Sequence, residues 1–429
     1  MTVSAKTRLG SLRMFLRSLG PGLITGAADD DPSGIAAYSQ AGAQFGYSLA
    51  WTMFLTLPFM AAIQIISASI GWQTKQGLSR NIASRLSRRV LYFLVALLVI
   101  ANTINIAADL AAMADSLKLV IAGPALLYAA LFGAIGLIVE VFIPYHCYAG
   151  YLKFLTLVLF VYVAAAFSVR IPWGDVALST LLPQISFKKD YLLTIVAVFG
   201  TTISPYLFFW QASQEAEESR LSHRRRFRAQ SYTKAQAFRH ILVDTWTGMI
   251  VSNVIAFFII VTTAATLHAS GITNIQTASQ AAEALRPAAG ELTFVLFAAG
   301  IIGTGMLAVP VLAGSAAYAV SEAFGLRGSL EMPANRALGF YGIVGASTLG
   351  GVLLVAARLD PIAMLFWAAV INGIVAVPIM VATMLVVSGR GTGKPIAIPR
   401  WLKLLGWLAA ALMSVTVLLL LWTSLPRGA

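Results

Sequence analysis

The sequence is almost without cysteine. Cys147 stands alone among 429 residues, so neither a disulfide frame nor a thiolate metal site can form within one chain. Histidine is nearly as scarce, and His146, His223, His240 and His268 show no metal-ligand spacing. Charge is the third shortage: 11% of residues are charged and 59% are apolar, a balance that excludes a soluble globule. No segment of useful length is low-complexity, and the largest polar stretch is the basic loop from Ser219 to His240. The first 18 residues are basic but lack a separate apolar core and a cleavage site, so no removable signal peptide is expected. No nucleophile, base and orienting group stand together, which makes an enzyme the least expected reading and calls for no cofactor.

What the chain does have is long apolar runs. A charged residue at the centre of a membrane helix costs roughly 2.5–3.5 kcal/mol on insertion scales, so runs that lack charge mark spans. Eleven are read: 20–44, 48–71, 90–117, 123–143, 148–168, 190–216, 241–265, 291–320, 338–357, 360–387 and 402–423. The expectation is an all-α polytopic membrane protein, one transmembrane domain over 1–429, multi-pass in the inner (plasma) membrane. Net charge is +13, which would suit nucleic acid, but its distribution reports topology instead. With the N-terminus placed inside, the outer side keeps only Lys118, Arg170, Lys188, Lys189, Arg286, Arg358 and Arg427, seven of the 30 basic residues. The inner groups include Lys6, Arg8, Arg13 and Arg17, then Lys75 to Arg89, Lys153, Arg220 to Arg239, Arg327 and Arg336, and Arg390 to Lys403. That orientation puts the C-terminus outside and implies the lipid bilayer, not DNA or RNA, as the surrounding partner. The oligomeric state is left open.

Two spans are broken at mid-membrane depth by proline beside oxygen-bearing residues. The first reads Ala28-Asp29-Asp30-Asp31-Pro32-Ser33-Gly34, and the second Gly200-Thr201-Thr202-Ile203-Ser204-Pro205. Hydrocarbon has no water for loose backbone groups, so unwound chain is tolerated only where it is packed in protein or lines a wet cavity. Paired interruptions in the two halves point to a central transport site. Because five spans separate the breaks, the economical plan is two five-helix repeats of opposite orientation, about 19–168 and 188–388, followed by an extra helix at about 402–423.

These residues resemble a known family. Gly20-Pro21-Gly22-Leu23 through Asp31-Pro32-Ser33-Gly34, followed by Gln40-Ala41-Gly42-Ala43 and Phe45-Gly46-Tyr47, is similar to the first span of the NRAMP divalent-metal transporters, whose signature is Asp-Pro-Gly-Asn. Ala107-Ala108-Asp109-Leu110-Ala111 resembles the family's third span, and Gly200 through Tyr206 stands where its sixth span reads Gly-Ala-Thr-Val-Met-Pro-His. Asp244-Thr245 opens the seventh. The resemblance implies a LeuT-type fold with discontinuous helices 1 and 6 and transport by alternating access. The departures matter too: the family's sixth-span methionine is Ser204, its alanine is Thr201 and its first-span asparagine is Gly34.

Hard cations take oxygen ligands, whereas a thioether favours softer manganese, iron or cadmium. The first break offers the Asp31 carboxylate, the Ser33 hydroxyl, and backbone at Ala28 and Gly34; the second offers Thr201 and Ser204. Magnesium keeps several waters and suits a roomy pocket with few carboxylates. Shortening Met to Ser and Asn to Gly enlarges the pocket, as in a distant NRAMP-related clade thought to carry magnesium. Magnesium is the leading expected cargo and manganese the second. Asp29, Asp30, Asn372 and Asp109 are secondary candidates. Three adjacent carboxylates repel one another, so at least one is expected to face a water-filled vestibule or hold a proton. Ser and Thr in membrane helices often merely bond a carbonyl one turn back, and the duller role for Asp31 is a helix cap. For Asp109 and Glu140 it is an ion pair or carbonyl partner inside the bundle. Glu215, Glu217 and Glu218 read as a solvated helix end near Arg220 and Arg224. Gly300, Gly303, Gly305, Gly314 and Ala316 read as close helix packing.

The family's proton route uses a sixth-span histidine pair and a third-span Asp-Leu-Ala-Glu run. Here the matching positions are Tyr206, Gln211 and Ala112, so transport without obligate proton coupling is expected. The rivals are a proton-coupled transition-metal symporter and a non-transporting membrane sensor similar to the NRAMP-like part of a plant ethylene-signalling protein. The sensor would be expected to carry a signalling domain, and the chain ends about six residues past the last span. An organic-solute carrier is disfavoured because three aspartates crowd the first break.

Overall fold

The computed structural model describes residues 21–143, 156–224, 233–357, 359–389 and 396–424. Cys147, His146, Lys153, Gly20, the N-terminal basic residues, Arg225 to Arg228, Arg358, Arg390, Lys394 and Arg427 lie outside them, as do the side chains of Leu23, His223 and Arg224. All regular structure among the described residues is helical. The helices are α1 (Pro21–Asp29), α2 (Pro32–Phe45), α3 (Trp51–Thr74), α4 (Leu78–Ala83), α5 (Arg88–Lys118), α6 (Ala125–Phe142), α7 (Phe160–Ser168) and α8 (Trp173–Leu181). They continue as α9 (Lys189–Thr202), α10 (Pro205–Arg224), α11 (Lys234–Thr263), α12 (Ala278–Glu283), α13 (Thr293–Phe324), α14 (Leu338–Val355), α15 (Pro361–Ser388) and α16 (Arg400–Ser424).

Nine spans among the described residues are long and apolar enough to cross a membrane. Two of the eleven expected spans fall outside that count for different reasons. The first is cut into α1 and α2, each too short alone, and the fifth lies partly outside the described residues. The stretch after α7 forms α8, bent 115° from its predecessor.

Proline alone does not break these helices. Pro58, Pro310 and Pro378 sit inside α3, α13 and α15, and each helix runs on. The two breaks differ in the residue before the proline: Asp31 can accept from the first amides of the helix that follows, and Ser204 can donate to the carbonyls that the break frees. Asp31 is an extended N-cap (φ −68°, ψ 168°) whose carboxylate accepts from the Gly34 amide. Ser204 donates its hydroxyl back to the freed carbonyls of Gly200 and Thr201, at 2.9 and 2.7 Å.

Each half-helix pair is then held by backbone-close crossings. The first packs on α11, where a Cβ at Gly26 would lie 2.4 Å from the Gly248 backbone, and the Gly22 amide donates to Asp244 Oδ2 at 2.7 Å. α9 packs on α15, where a Cβ at Gly200 would meet the Ala369 carbonyl at 2.1 Å and the Gly373 nitrogen at 2.4 Å. α10 packs on α3, and α5 is gripped by α13, α14 and α15. The packing role read for the small residues of α13 holds at Gly305, which accommodates Met113, and at Gly314, which accommodates Trp210.

At the end of the bundle where α3 stops, Glu322 of α13 accepts from the amides of Gly77 and Arg80 at 2.8 and 3.3 Å, and Arg220 of α10 donates to the Lys75 carbonyl. These contacts pin α4 beneath the bundle. Glu215 and Glu217, expected in solvent, are buried, and Glu217 accepts from the Tyr318 hydroxyl at 2.9 Å. Burial follows because α10 runs on between α3 and α13 instead of emerging. Glu322→Ala strips two amides of their carboxyl acceptor, which at about 1–3 kcal/mol is expected to lower the thermal midpoint in detergent and speed proteolysis between α3 and α5. An unchanged midpoint and digestion pattern would show that α4 is held by other contacts.

Candidate metal site at the two helix breaks

Asp31 gathers donors from three directions. Its Oδ1 accepts from the Ser33 hydroxyl at 2.6 Å and the Gly34 amide at 2.8 Å; its Oδ2 accepts from the Asn105 amide at 3.0 Å, with the Tyr206 hydroxyl at 3.4 Å. The residue is 1% exposed, and a carboxylate in so dry a place needs such company. The cap uses one oxygen, and the other turns toward α5 and α10.

Tyr206 ties the two breaks together. From the first turn of α10 its hydroxyl donates to the Ala28 carbonyl at 2.9 Å, so the carbonyl that the first break frees is taken by the second broken helix. Thr201 comes in from the end of α9, its Oγ1 2.9 Å from where a Cβ on Gly34 would stand. Asp31, Ser33, Gly34, Ala28 and Thr201 thus meet at one point. Ser204 is beside them in sequence, but its hydroxyl proton is spent on its own helix. Asn372 on α15 enters through Asn105, donating to Asn105 Oδ1 at 3.4 Å, while its own Oδ1 has no partner among the described residues.

Of the two alternatives read for the aspartate triplet, a vestibule-facing charge or a held proton, Asp29 and Asp30 do not take the first. Each is 1% exposed, and both stand over Ser252 of α11, whose hydroxyl lies 2.7 Å from one carboxylate and 3.0 Å from the other. They sit there because α1 packs backbone-close on α11, which turns them away from any opening. Asp109 is fully buried one helical turn beyond Asn105, and neither carboxylate oxygen has a partner among the described residues, in place of the ion pair or carbonyl contact anticipated. Glu140 Oε1 likewise has none.

The roomy pocket anticipated from Gly34 and Ser204 is not open in this conformation. A Cβ at Gly34 would collide with Thr201 and come within 3.3 Å of the Tyr38 ring, so those side chains occupy the vacated volume. The site is occluded, with Thr201 and Ser204 also 1% exposed. Asn105, Ser252 and Tyr38 were missed from sequence, and Tyr206 was read only as a residue that does not titrate. Asn105 carried a usable signal: an amide in an apolar span, four residues before Asp109, is expensive unless it is put to use.

The comparisons with known proteins bear on this arrangement. The family model described as natural resistance-associated macrophage protein-like (Nramp) matches residues 22–423. The chain belongs to the Nramp family. A divalent metal cation transporter MntH of Pectobacterium carotovorum is 27% identical over 71% of this chain and 72% of its own length. One of Klebsiella pneumoniae is 24% identical over 94% and 92%. Among solved structures, the Eremococcus coleocola manganese transporter superposes with a TM-score of 0.72 at 19% identity, covering 94% of this chain and 86% of its own. The fold is thus that of an Nramp protein, a multi-pass LeuT-type bundle with discontinuous first and sixth spans, and the break that defines it is where Asp31 and Tyr206 meet.

Two substitutions test the two residues that sequence reading undervalued. Asn105→Ala and Tyr206→Phe each remove a donor from Asp31, worth about 1–3 kcal/mol for a charged partner, and are expected to shrink the rise in thermal midpoint that a divalent salt produces. Ser204→Ala is expected to lower the midpoint without salt instead. If Ser204→Ala alone abolished the salt-induced rise, the hydroxyl would have to turn toward the ion.

Proposed function

We propose that this Nramp protein carries divalent metal cations across the membrane by alternating access, with Mg²⁺ as leading cargo and Mn²⁺ as second, and without obligate proton coupling. The observation that carries the reading is the convergence of both breaks on Asp31 in a buried setting of oxygen donors. Asp31 supplies the charge; Ser33, Thr201, Ser204 and the Ala28 carbonyl supply neutral oxygens; Asn372 brings an amide oxygen that has no partner among the described residues. The relatives named as divalent metal cation transporters, and the manganese transporter of the same fold, support cargo of this charge.

Chemistry favours the harder end of that series. Oxygen ligands hold magnesium without discriminating for soft metals, and magnesium's reluctance to shed water suits a pocket with one central carboxylate. As the ion arrives, donors now on Asp31 rotate: a hydroxyl or an amide presents oxygen to a cation as readily as hydrogen to a carboxylate.

The positions of the family's proton partners are filled by Tyr206, which is engaged with Ala28, and by Gln211, whose amide donates to Thr245 at 3.0 Å. Neither titrates near neutrality. A second reading, proton-coupled transport of Mn²⁺ or Fe²⁺, draws on two observations. Met113 packs its sulfur on Gly305 beside Pro32, and Asp109 is a buried acid without a partner among the described residues. The basic ends of α3, α10 and α15 support an N-terminus inside and a C-terminus outside. The exchange of partners, α1 on α11 and α10 on α3, supports inverted repeats at about 19–168 and 188–388.

Proteoliposomes separate the readings. Wild type is expected to take up Mg²⁺ and Mn²⁺ down their gradients with no acidification of the lumen, and Asp31→Ala to lose uptake by at least about tenfold, the effect of roughly 1.4 kcal/mol. Uptake that persists in Asp31→Ala would remove the residue from the site. Lumenal acidification with each metal pulse, abolished by Asp109→Asn, together with Cd²⁺ uptake weakened by Met113→Leu, would establish the symporter instead.

A further inference from the structure

At the basic end of the bundle, where α3 stops and α11 starts, a cavity of about 410 Å³ is walled by those two helices and the connection ahead of α16. Gln73 of α3 fixes that connection, donating to the Ala397 carbonyl at 3.0 Å and accepting from the Ala397 amide at 2.8 Å; Ser219 of α10 donates to the Trp72 carbonyl at 3.1 Å. Trp72, Phe238, Ile241 and Pro399 make most of the lining apolar, and Lys234 is the only charged residue on it among the described residues. Three further donors belong to lining residues and have no hydrogen-bond partner among the described residues. The capping box at the start of α11 satisfies the amides of Thr233 and Gln236 and leaves those of Lys234 and Ala235 unpaired. The third donor is the Ser69 hydroxyl, on a residue 1% exposed. Thr56 and Thr74 of the same helix bond back to carbonyls one turn earlier, and Ser69 does not.

We propose that this cavity seats the headgroup of an anionic phospholipid, its phosphate held by Lys234, the two free amides of α11 and the Ser69 hydroxyl. All four groups can donate, and no carboxylate lines the space among the described residues, so the ligand they suit is an anion. Helix amides with no partner also carry the positive end of the α11 dipole, which strengthens their hold on phosphate. The apolar wall selects lipid over a soluble anion: Trp72, Phe238 and Pro399 offer surface to glycerol and the first acyl carbons, for which a free phosphate has no use. The position agrees, because the cavity lies at the ends of membrane spans, and Trp401 beside it is exposed as an interfacial anchor would be. Arg239 and Arg400 are exposed at the same end without lining the cavity, and draw anionic lipid toward it. A zwitterionic lipid brings its own cation, which Lys234 repels. Neither the orientation of the bundle nor the identity of its cargo enters, since the donors sit at one end whichever leaflet that is.

Native mass spectrometry of the detergent-purified full chain, titrated with phosphatidylglycerol or with phosphatidylcholine of the same acyl chains, reads the dissociation constant of the first bound lipid. Wild type is expected to hold phosphatidylglycerol at least about fivefold more tightly. Lys234→Gln and Ser69→Ala are each expected to weaken that binding about two- to tenfold, the effect of one hydrogen bond. Lys234→Arg, which keeps the charge, and Arg239→Gln, which removes a neighbouring one, are expected to stay within about twofold of wild type. Equal affinity of wild type for the two lipids overturns the assignment without any variant. So does a loss in Arg239→Gln as large as in Lys234→Gln, the mark of diffuse surface attraction, or a loss shared by Lys234→Arg, the mark of a damaged fold. Displacement of phosphatidylglycerol by equimolar inorganic phosphate overturns it too, because the site would then take a free anion.

Discussion

Everything at the centre of this protein depends on how two interrupted helices satisfy their own backbone inside the membrane. Unwinding a helix in hydrocarbon leaves amides and carbonyls that no water can reach. At the first break the Asp31 carboxylate takes the Gly34 amide, and Tyr206 takes the Ala28 carbonyl; at the second, Ser204 takes the carbonyls of Gly200 and Thr201. The groups that repair the damage are the same groups that give the site its oxygen chemistry. Structure and binding are therefore not separable here: an ion that recruits Asp31 must compete with the cap that holds α2 in place.

On the proposed reading, that competition gives alternating access a physical basis. Asp31 is surrounded by hydrogen-bonding groups from α2, α5 and α10, and the centre is sealed. On the same reading, a divalent ion at Asp31 would reverse the sense of each contact, because positive charge attracts the oxygens of groups that offer hydrogens. Asn105 and Tyr206 would then turn, and each is joined to another helix: to α15 through Asn372, and to α1 through Ala28. A small rotation about one carboxylate thus reaches four helices without any long-range signal.

Much of the architecture was legible from composition, because uncharged apolar runs have few folded solutions. The breaks were legible too, and for a reason sharper than proline content: Asp31-Pro32 and Ser204-Pro205 break, while Leu57-Pro58, Val309-Pro310 and Val377-Pro378 do not. What escaped sequence reading was set by tertiary neighbours. Gly34 suggested open volume, but a close-packed interior fills such volume, and Thr201 and Tyr38 do so. Glu215 and Glu217 read as a solvated helix end because nothing local reveals that α10 continues between two other helices. Asn105 looked like one polar residue in an apolar run until Asp31 was found opposite it.

The glycine crossings constrain motion as well as packing. Where Gly26 rests on Gly248, and Gly200 on Ala369 and Gly373, main chain meets main chain with no side chain between. Such a contact has no compliant layer: rotamers cannot readjust to absorb a tilt, so the two rods must travel together or separate outright. α1 is thereby coupled to α11 and α9 to α15, and sliding is confined to seams cushioned by longer side chains. The hinge geometry of the transport cycle is in this sense written in the residues that have nothing to flex.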